Sequence, residues 1–125
     1  MASIIKVETL QDTAGNNAVG MQYVANGSAK IWFGAPDQTG HTIAQSLNIS
    51  GSTDVGTGTW YYAVTNNAAS QIDDYAISGT CGWDVNIFRI GANNTTSSQI
   101  HVLSADDAGS YIDCPKYMNW CGDLA

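Results

Sequence analysis

The chain has 125 residues, a length that suggests one domain with a modest core. Charged residues make up only 12% of it, with 4 Lys and Arg against 11 Asp and Glu, so that the formal net charge is −7. So few cations cannot build the basic face that a phosphate backbone or an anionic membrane surface requires, and we therefore exclude nucleic acid and membrane surfaces as partners.

Residues 1–25 are predicted to form an N-terminal attachment or trimerisation segment. Residues 4–8 and 18–25 have strand patterns, and the stretch 13–17 between them has the composition of a turn. The start, MASIIKVETL, has no basic region, and Lys6 and Glu8 interrupt its apolar run, so we expect no secretory signal. No stretch reaches the ~20 apolar residues of a membrane span. We therefore expect folding in a cytoplasm and no membrane insertion.

Residues 26–125 alternate between short strand patterns and turn patterns. A corner of hairpin type is predicted at 26–28. Strands are predicted at 29–33, 41–50, 60–64, 75–81, 85–90 and 99–105, with two extended pieces around Pro115, and the stretches 34–40 and 51–58 are predicted to be loops. No helical period of 3.6 residues appears. The pattern indicates an all-β fold, a sandwich or a barrel, and we predict an antiparallel β-sandwich over residues 26–125.

The aromatic run TWYYAV at 59–64 is predicted to be a core strand. Because side chains alternate between the two faces of a strand, Trp60, Tyr62 and Val64 should share one face, and Tyr61 the other. The glycines before the run should turn the chain sharply into it, with Asp54 capping its own backbone in STDVGTG.

Titratable residues do not assemble into a catalytic pattern. His41 and His101 have no nucleophile or acid at a catalytic spacing, and the adjacent aspartates at 73–74 and 106–107 are typical of solvated turns rather than of a glycosidase pair. We therefore expect a protein that is not an enzyme.

Three cysteines, Cys81, Cys114 and Cys121, do not form an even disulfide set. The C-x6-C spacing of Cys114 and Cys121 matches no standard zinc motif. A ring of histidines that holds a metal on a symmetry axis would have to use His41 or His101, and an ordinary surface or strand position is favoured for both. We therefore expect no metal and no cofactor. Free thiols are the expectation for a reducing compartment, and a Cys114–Cys121 pair stays open.

Several segments resemble the tail-fibre and fibre-tip proteins of tailed bacteriophages. VANGSAKIW at 24–32 is similar to a segment that recurs in those proteins, and SLNISGSTDVGTGTWYYAV at 46–64 follows it as a related stretch does there. DDYAISGTC at 73–81 and the final CGDLA at 121–125 match later pieces in the same order. The resemblance departs at FGAPDQTGH, and the chain has no counterpart of the long shaft of typical fibres, which favours a stub mounted on the virion.

This resemblance implies a homotrimeric virion structural protein, a tail fibre or a short fibre tip that attaches the particle to its host. The N-terminal segment would contact other virion proteins, and a host cell-surface glycan is a candidate receptor. Candidate receptor-binding residues are Trp83, Asp84 and Tyr111. Candidate residues of the trimer interface are Tyr61, Trp32 and Trp120.

Composition also favours several chains rather than one. A monomer would expose long, uncharged sheet edges, which invite pairing with other chains, and the aromatic content is typical of subunit interfaces.

A capsid decoration protein, or a neck or head fibre that stabilises the particle, is the alternative function. A lectin-like or glycan-degrading module is a third hypothesis.

Overall fold

The computed structural model of the chain describes residues 7–11, 13–15, 18–37, 42–82 and 87–125. Its strands are β1 (Thr9–Leu10), β2 (Val19–Gly20), β3 (Ala29–Ala35), β4 (Gln45–Leu47), β5 (Ile49–Gly56), β6 (Thr59–Val64), β7 (Ala76–Cys81), β8 (Ile87–Ile90), β9 (Gln99–Ala105) and β10 (Lys116–Cys121). One α-helix, α1 (Met21–Gly27), and two 3-10 turns, Ile72–Asp74 and Ala92–Asn94, complete the described elements.

Two four-stranded sheets form the body of the fold. The first sheet has the strand order β4-β3-β10-β7 and the second has the order β5-β6-β9-β8, and neighbouring strands are antiparallel in both. The prediction of an all-β chain with antiparallel sheets is therefore confirmed.

The two sheets share one hydrophobic core. Alternate residues of β3 and β10 and of β6 and β9 are buried in it together. The rings of Phe33 on the first sheet and Tyr62 on the second stack with centroids 4.0 Å apart, and this contact joins the sheets near the middle of the core. Burial of each large side chain in such a core contributes roughly 1.5–3 kcal/mol to the stability of the fold.

The aromatic run forms the strand that its alternation predicts. Trp60, Tyr62 and Val64 are buried on the core face of β6, whereas Tyr61 is half-buried and Ala63 exposed on the outer face. The strands predicted at 29–33, 75–81 and 99–105 are likewise present, as β3, β7 and β9.

The strand predicted at 18–25 is wrong beyond Gly20, because α1 begins at Met21. The corner at 26–28 is therefore not a hairpin turn: it is the end of this helix, where the Ser28 N–H donates to the Val24 carbonyl at 3.2 Å, and β3 starts at once. A helix of two turns is too short to produce a recognisable 3.6-residue period in the sequence.

The loop predicted at 51–58 is also wrong, since most of it lies in β5. This strand is at the edge of the second sheet, and its residues are mainly exposed. Ser, Thr, Asp and Gly suit an exposed edge as well as a turn, so composition alone does not separate the two.

A single residue, Asn48, connects the two sheets between β4 and β5. Its φ of 62° is in the left-handed region, which asparagine tolerates better than most residues. Its side-chain amide accepts from the Asn66 N–H at 2.6 Å and donates to the Asn66 carbonyl at 2.9 Å. These two hydrogen bonds hold the connection between β4 and β5 to the segment that follows β6.

The N-terminal segment pairs mainly with itself. β1 and β2 form a separate two-stranded sheet, and the Met21 N–H donates to the Glu8 carbonyl at 2.8 Å. Among the described residues, the hydrophobic core begins only at Ile31, while Val7, Leu10 and Tyr23 are exposed. The predicted strand at 4–8 lies largely outside the described residues, and a domain boundary at residue 25 stays a prediction.

In the described part of the chain, no helix has the length and apolar character that crossing a membrane requires.

Candidate functional site

The predicted receptor-binding residues are described only in part. Trp83 and Asp84 lie outside the described residues, as does His41. Tyr111 follows the turn at 106–110, forms a β-bridge with Ala105 and is 51% exposed. It is therefore available for contact with another molecule.

The three predicted interface residues lie in three different places. Trp32 is on the outer face of the first sheet, and Tyr61 is on the outer face of the second sheet, with its ring centroid 5.0 Å from that of His101. Trp120 lies in the core, where its indole N–H donates to the Ile72 carbonyl at 3.0 Å. Because the Trp120 side chain is fully buried within its own chain, it has no surface left for a second subunit.

The outer face of the first sheet carries two exposed aromatic side chains, Trp32 and Tyr117. Trp32 pairs with Leu47 on one side and with Asn119 on the other, and Tyr117 pairs with Gly34 and Thr80. The side chains of Trp32, Tyr117 and Leu47 are 36%, 41% and 46% exposed. We call this surface, formed by Trp32, Gly34, Gln45, Leu47, Ser78, Thr80, Tyr117 and Asn119, the Trp32–Tyr117 face.

Tyr117 divides this face into two open depressions. One, of about 400 Å³, is lined by the polar residues Ser78, Thr80 and Asn119 together with apolar residues of β3 and β10, and in it the Ser78 hydroxyl donates to the Asn119 side-chain carbonyl. The other, of about 310 Å³, lies between Tyr117 and Trp32. An added Cβ at Gly34 would be 3.4 Å from the Tyr117 ring, so the ring lies close against the backbone of β3.

These side chains can bind but offer no reactive group. They supply two ring faces, one aliphatic side chain and a set of neutral amides and hydroxyls, which make van der Waals contacts and hydrogen bonds. None of the eight residues of the face is charged. The chemistry is therefore that of recognition of a neutral surface, with aromatic anchors at its centre.

The core contains a buried charge that the sequence analysis missed. Lys116 is fully buried, its Nζ lies 3.3 Å from the centroid of the Trp60 ring, and it donates to the Cys114 carbonyl at 3.0 Å. Burial lowers the pKa of Lys116, although the nearby Cys114, Cys81, Asp113 and Asp37 act in the opposite direction. The alternation of Lys116 with Met118 and Trp120 along β10 is the signal that could have placed it inside.

Replacing Lys116 with methionine is expected to raise the free energy of unfolding by about 1 kcal/mol, because a desolvated charge is removed while the volume and the contact with Trp60 are kept. Lys116→Ala should lower it by about 2 kcal/mol, since it leaves a cavity. Urea denaturation followed by tryptophan fluorescence measures both.

The advantage of methionine over Lys116 should depend on pH. The folded chain releases the Lys116 proton at a lower pH than the unfolded chain does, so the wild type gains stability as the pH rises from the folded-state pKa of Lys116 towards the ordinary lysine pKa of about 10.4. The difference between the two proteins should therefore shrink over that window. A difference in the free energy of unfolding between the wild type and Lys116→Met that stays constant or grows over this pH window would contradict a buried ammonium at Lys116.

Other titratable residues that the sequence offered as catalytic or metal-binding groups are explained by their places in the fold. Asp54 accepts from the Gly56 N–H at 2.9 Å, which confirms its predicted capping role, and Asp106 accepts from the Ser110 N–H at 2.8 Å within its turn. His101 is only 9% exposed, and its Nδ1 has no hydrogen-bond partner among the described atoms. In the described ranges, no three His, Cys, Asp or Glu side chains are placed to hold a metal ion.

Comparison with known proteins adds no further assignment: no protein-family model, no curated protein and no solved structure matches the chain.

Proposed function

We propose that this chain is a bacteriophage virion protein, a homotrimeric tail fibre or short fibre tip that takes part in attachment to the host surface. The motifs NGSAK-W, TD-GTG and GDLA in their order support the virion assignment. The observation that carries the assembly step is the Trp32–Tyr117 face, an exposed surface with two aromatic side chains and no charge.

In the proposed trimer, each chain turns its Trp32–Tyr117 face towards a common threefold axis. Aromatic residues are enriched and charged residues depleted at the centre of subunit interfaces, as on this face. Trimer formation would also cover the apolar Leu47 on β4, which is an edge strand of the first sheet and has only three residues. Of the three sequence-based interface candidates, this arrangement uses Trp32.

Of the receptor-binding candidates, Tyr111 lies within the described residues. It bridges Ala105 at the end of β9 and is 51% exposed. Three copies of a region around Tyr111 on one rigid axis would raise the avidity for a repetitive cell surface without any new contact.

Light scattering on the purified chain at micromolar concentration tests the assembly, and the expected mass is that of three chains. Tyr117→Glu should reduce the mass to that of one chain, because three carboxylates would be buried at the axis without partners. The matched variant Tyr111→Glu, at a tyrosine outside this face that is also exposed, should leave the mass unchanged. Circular dichroism verifies that both variants are folded.

A monodisperse wild-type monomer would overturn the proposed trimer, and a trimer that survives Tyr117→Glu would overturn the assignment of its interface. Reconstruction of an intact particle then separates the functions. A position at the tail or its tip supports host attachment, whereas a position at capsomer junctions supports a decoration protein.

A further inference from the structure

Two of the three cysteines lie together beside the buried lysine. Cys81 is the last residue of β7 and pairs with Lys116, and Cys114 lies two residues before Lys116 in the chain. Both cysteines are buried, and the residues that follow them in the chain are joined directly, because the Gly82 N–H donates to the Pro115 carbonyl at 2.9 Å. All three cysteines are free thiols in this structure.

The third cysteine is far from this pair. Cys121 is at the opposite end of β10 and pairs with Ala76, at the opposite end of β7 from Cys81. The strand from Lys116 to Cys121 spans about 16 Å at ~3.3 Å per residue, whereas a disulfide requires Cα atoms within about 7 Å. A Cys114–Cys121 bond, which the sequence left open, is therefore incompatible with the extended β10.

We propose that Cys81 and Cys114 are a disulfide-forming pair that closes under oxidising conditions and leaves Cys121 as a free thiol. With a small disulfide such as oxidised glutathione as the oxidant, one cysteine thiolate attacks a glutathione sulfur and displaces a glutathione thiolate. The second cysteine thiolate then attacks the protein sulfur of the mixed disulfide and displaces the other glutathione thiolate. Two electrons leave the protein, and both cysteine protons end on the two glutathione thiols.

Such a bond would join the end of β7 to the residues just before β10, within the first sheet, and would close a long segment of the chain between them. The segment between Cys81 and Cys114 leaves the first sheet, contributes β8 and β9 to the second sheet and then returns to β10. Closing it restricts the unfolded chain, and a disulfide across a segment of this length typically raises Tm by about 10 °C or more. The chain would thus be a dithiol in a reducing compartment and a cross-linked protein in an oxidising one.

Burial of the two thiols in the folded chain should slow formation of the Cys81–Cys114 bond. Burial, together with the hydrogen bond from Cys114, raises the pKa of Cys81 to about 12, although the Lys116 ammonium acts in the opposite direction. Since the thiolate is the reactive species, the folded dithiol should exchange slowly with dissolved disulfides. Formation of the bond should therefore accompany folding, when the thiols are still accessible.

The test is refolding of the reduced, urea-unfolded full chain in a mixture of reduced and oxidised glutathione at mildly alkaline pH. Remaining thiols are then alkylated under denaturing conditions, and the products are analysed by intact mass and peptide mapping. We expect the loss of two hydrogen atoms, one linkage between the Cys81 and Cys114 peptides, and alkylation at Cys121. The oxidised protein should melt about 10 °C or more above the same sample treated with reductant.

The Cys121→Ser variant is the matched control and should form the same linkage, because Cys121 takes no part in it. Cys81→Ala and Cys114→Ala should each leave two alkylated thiols. Three free thiols in the refolded wild type, or a dominant linkage that includes Cys121, would overturn the proposal. The wild type and Cys121→Ser decide the question even where a buried cysteine variant fails to fold.

Discussion

Replacing Gly58 with alanine is expected to lower the free energy of unfolding by about 3 kcal/mol or more. Gly58 has a φ of 69°, in the region that side chains disfavour, and an added Cβ would lie 2.5 Å from the Ser104 carbonyl oxygen and 2.8 Å from the Ile112 nitrogen. Both atoms are backbone and cannot move aside as a flexible side chain would. Urea denaturation followed by circular dichroism measures the loss.

The position of Gly58 explains why this turn is sensitive. Its N–H donates to the Asp113 carboxylate at 2.6 Å, and its carbonyl accepts from the Ser104 N–H at 2.8 Å. The turn between β5 and β6 is therefore attached both to β9 and to the segment that leads into β10. A Cβ at Gly58 would disturb both of these attachments at once.

Gly109→Ala is the control that measures the cost of a side chain in the left-handed backbone conformation without a steric clash. Gly109 also has a positive φ, of 87°, but an added Cβ there would meet no atom within 4 Å. Its substitution should cost about 1 kcal/mol, the strain of the left-handed conformation without the clash. Equal losses at the two glycines would show that the close contacts at Gly58 do not matter.

Trp120→Ala is expected to destabilise the protein by about 4 kcal/mol, in the range of large-to-small substitutions in a core. The side chain is fully buried, packs edge-to-face against Tyr75 with ring centroids 5.1 Å apart, and donates to the Ile72 carbonyl. The substitution removes the buried surface, the aromatic contact and the hydrogen bond together. Thermal and urea unfolding of the variant measure the effect.

Trp120→Phe separates these contributions, since it keeps most of the volume but removes the indole donor, so that the Ile72 carbonyl keeps only its longer hydrogen bond from the Tyr75 N–H, at 3.3 Å. We expect a loss of about 2 kcal/mol. Tyr23→Ala is the control for the loss of an aromatic side chain at an exposed position and should change stability by less than about 0.5 kcal/mol. A Trp120→Ala variant as stable as the Tyr23 variant would contradict the core assignment of Trp120.

The parts of the fold that were predictable are those where burial imposes alternation. β6 is central in the second sheet, with one face in the core, so its buried residues alternate with less buried ones. β5 has no such pattern because it is an edge strand with mostly exposed residues, and α1 has no readable period because it is short. For β5, pairing with β6 rather than local composition determines the conformation.

The candidate site was predictable only residue by residue. The aromatic character of Trp32 indicated an interface, but its neighbourhood with Tyr117 follows from the pairing of β3 with β10, and sequence alone does not specify which strands pair. The same holds for Cys81 and Cys114, which the pairing of β7 with β10 brings together. Lys116 was missed because a charged residue type argues for solvent, whereas its place in the alternation argues for the core.

The one-residue crossing at Asn48 limits how the chain can be lengthened. An insertion there would lengthen the connection between two strands that lie in different sheets. It would also separate Asn48 from the Asn66 backbone that holds the corner. The exposed turn around Gly109 is held by its own hydrogen bonds between Asp106 and Ser110, so foreign peptides for display or labelling belong at that turn and not at the corner between the sheets.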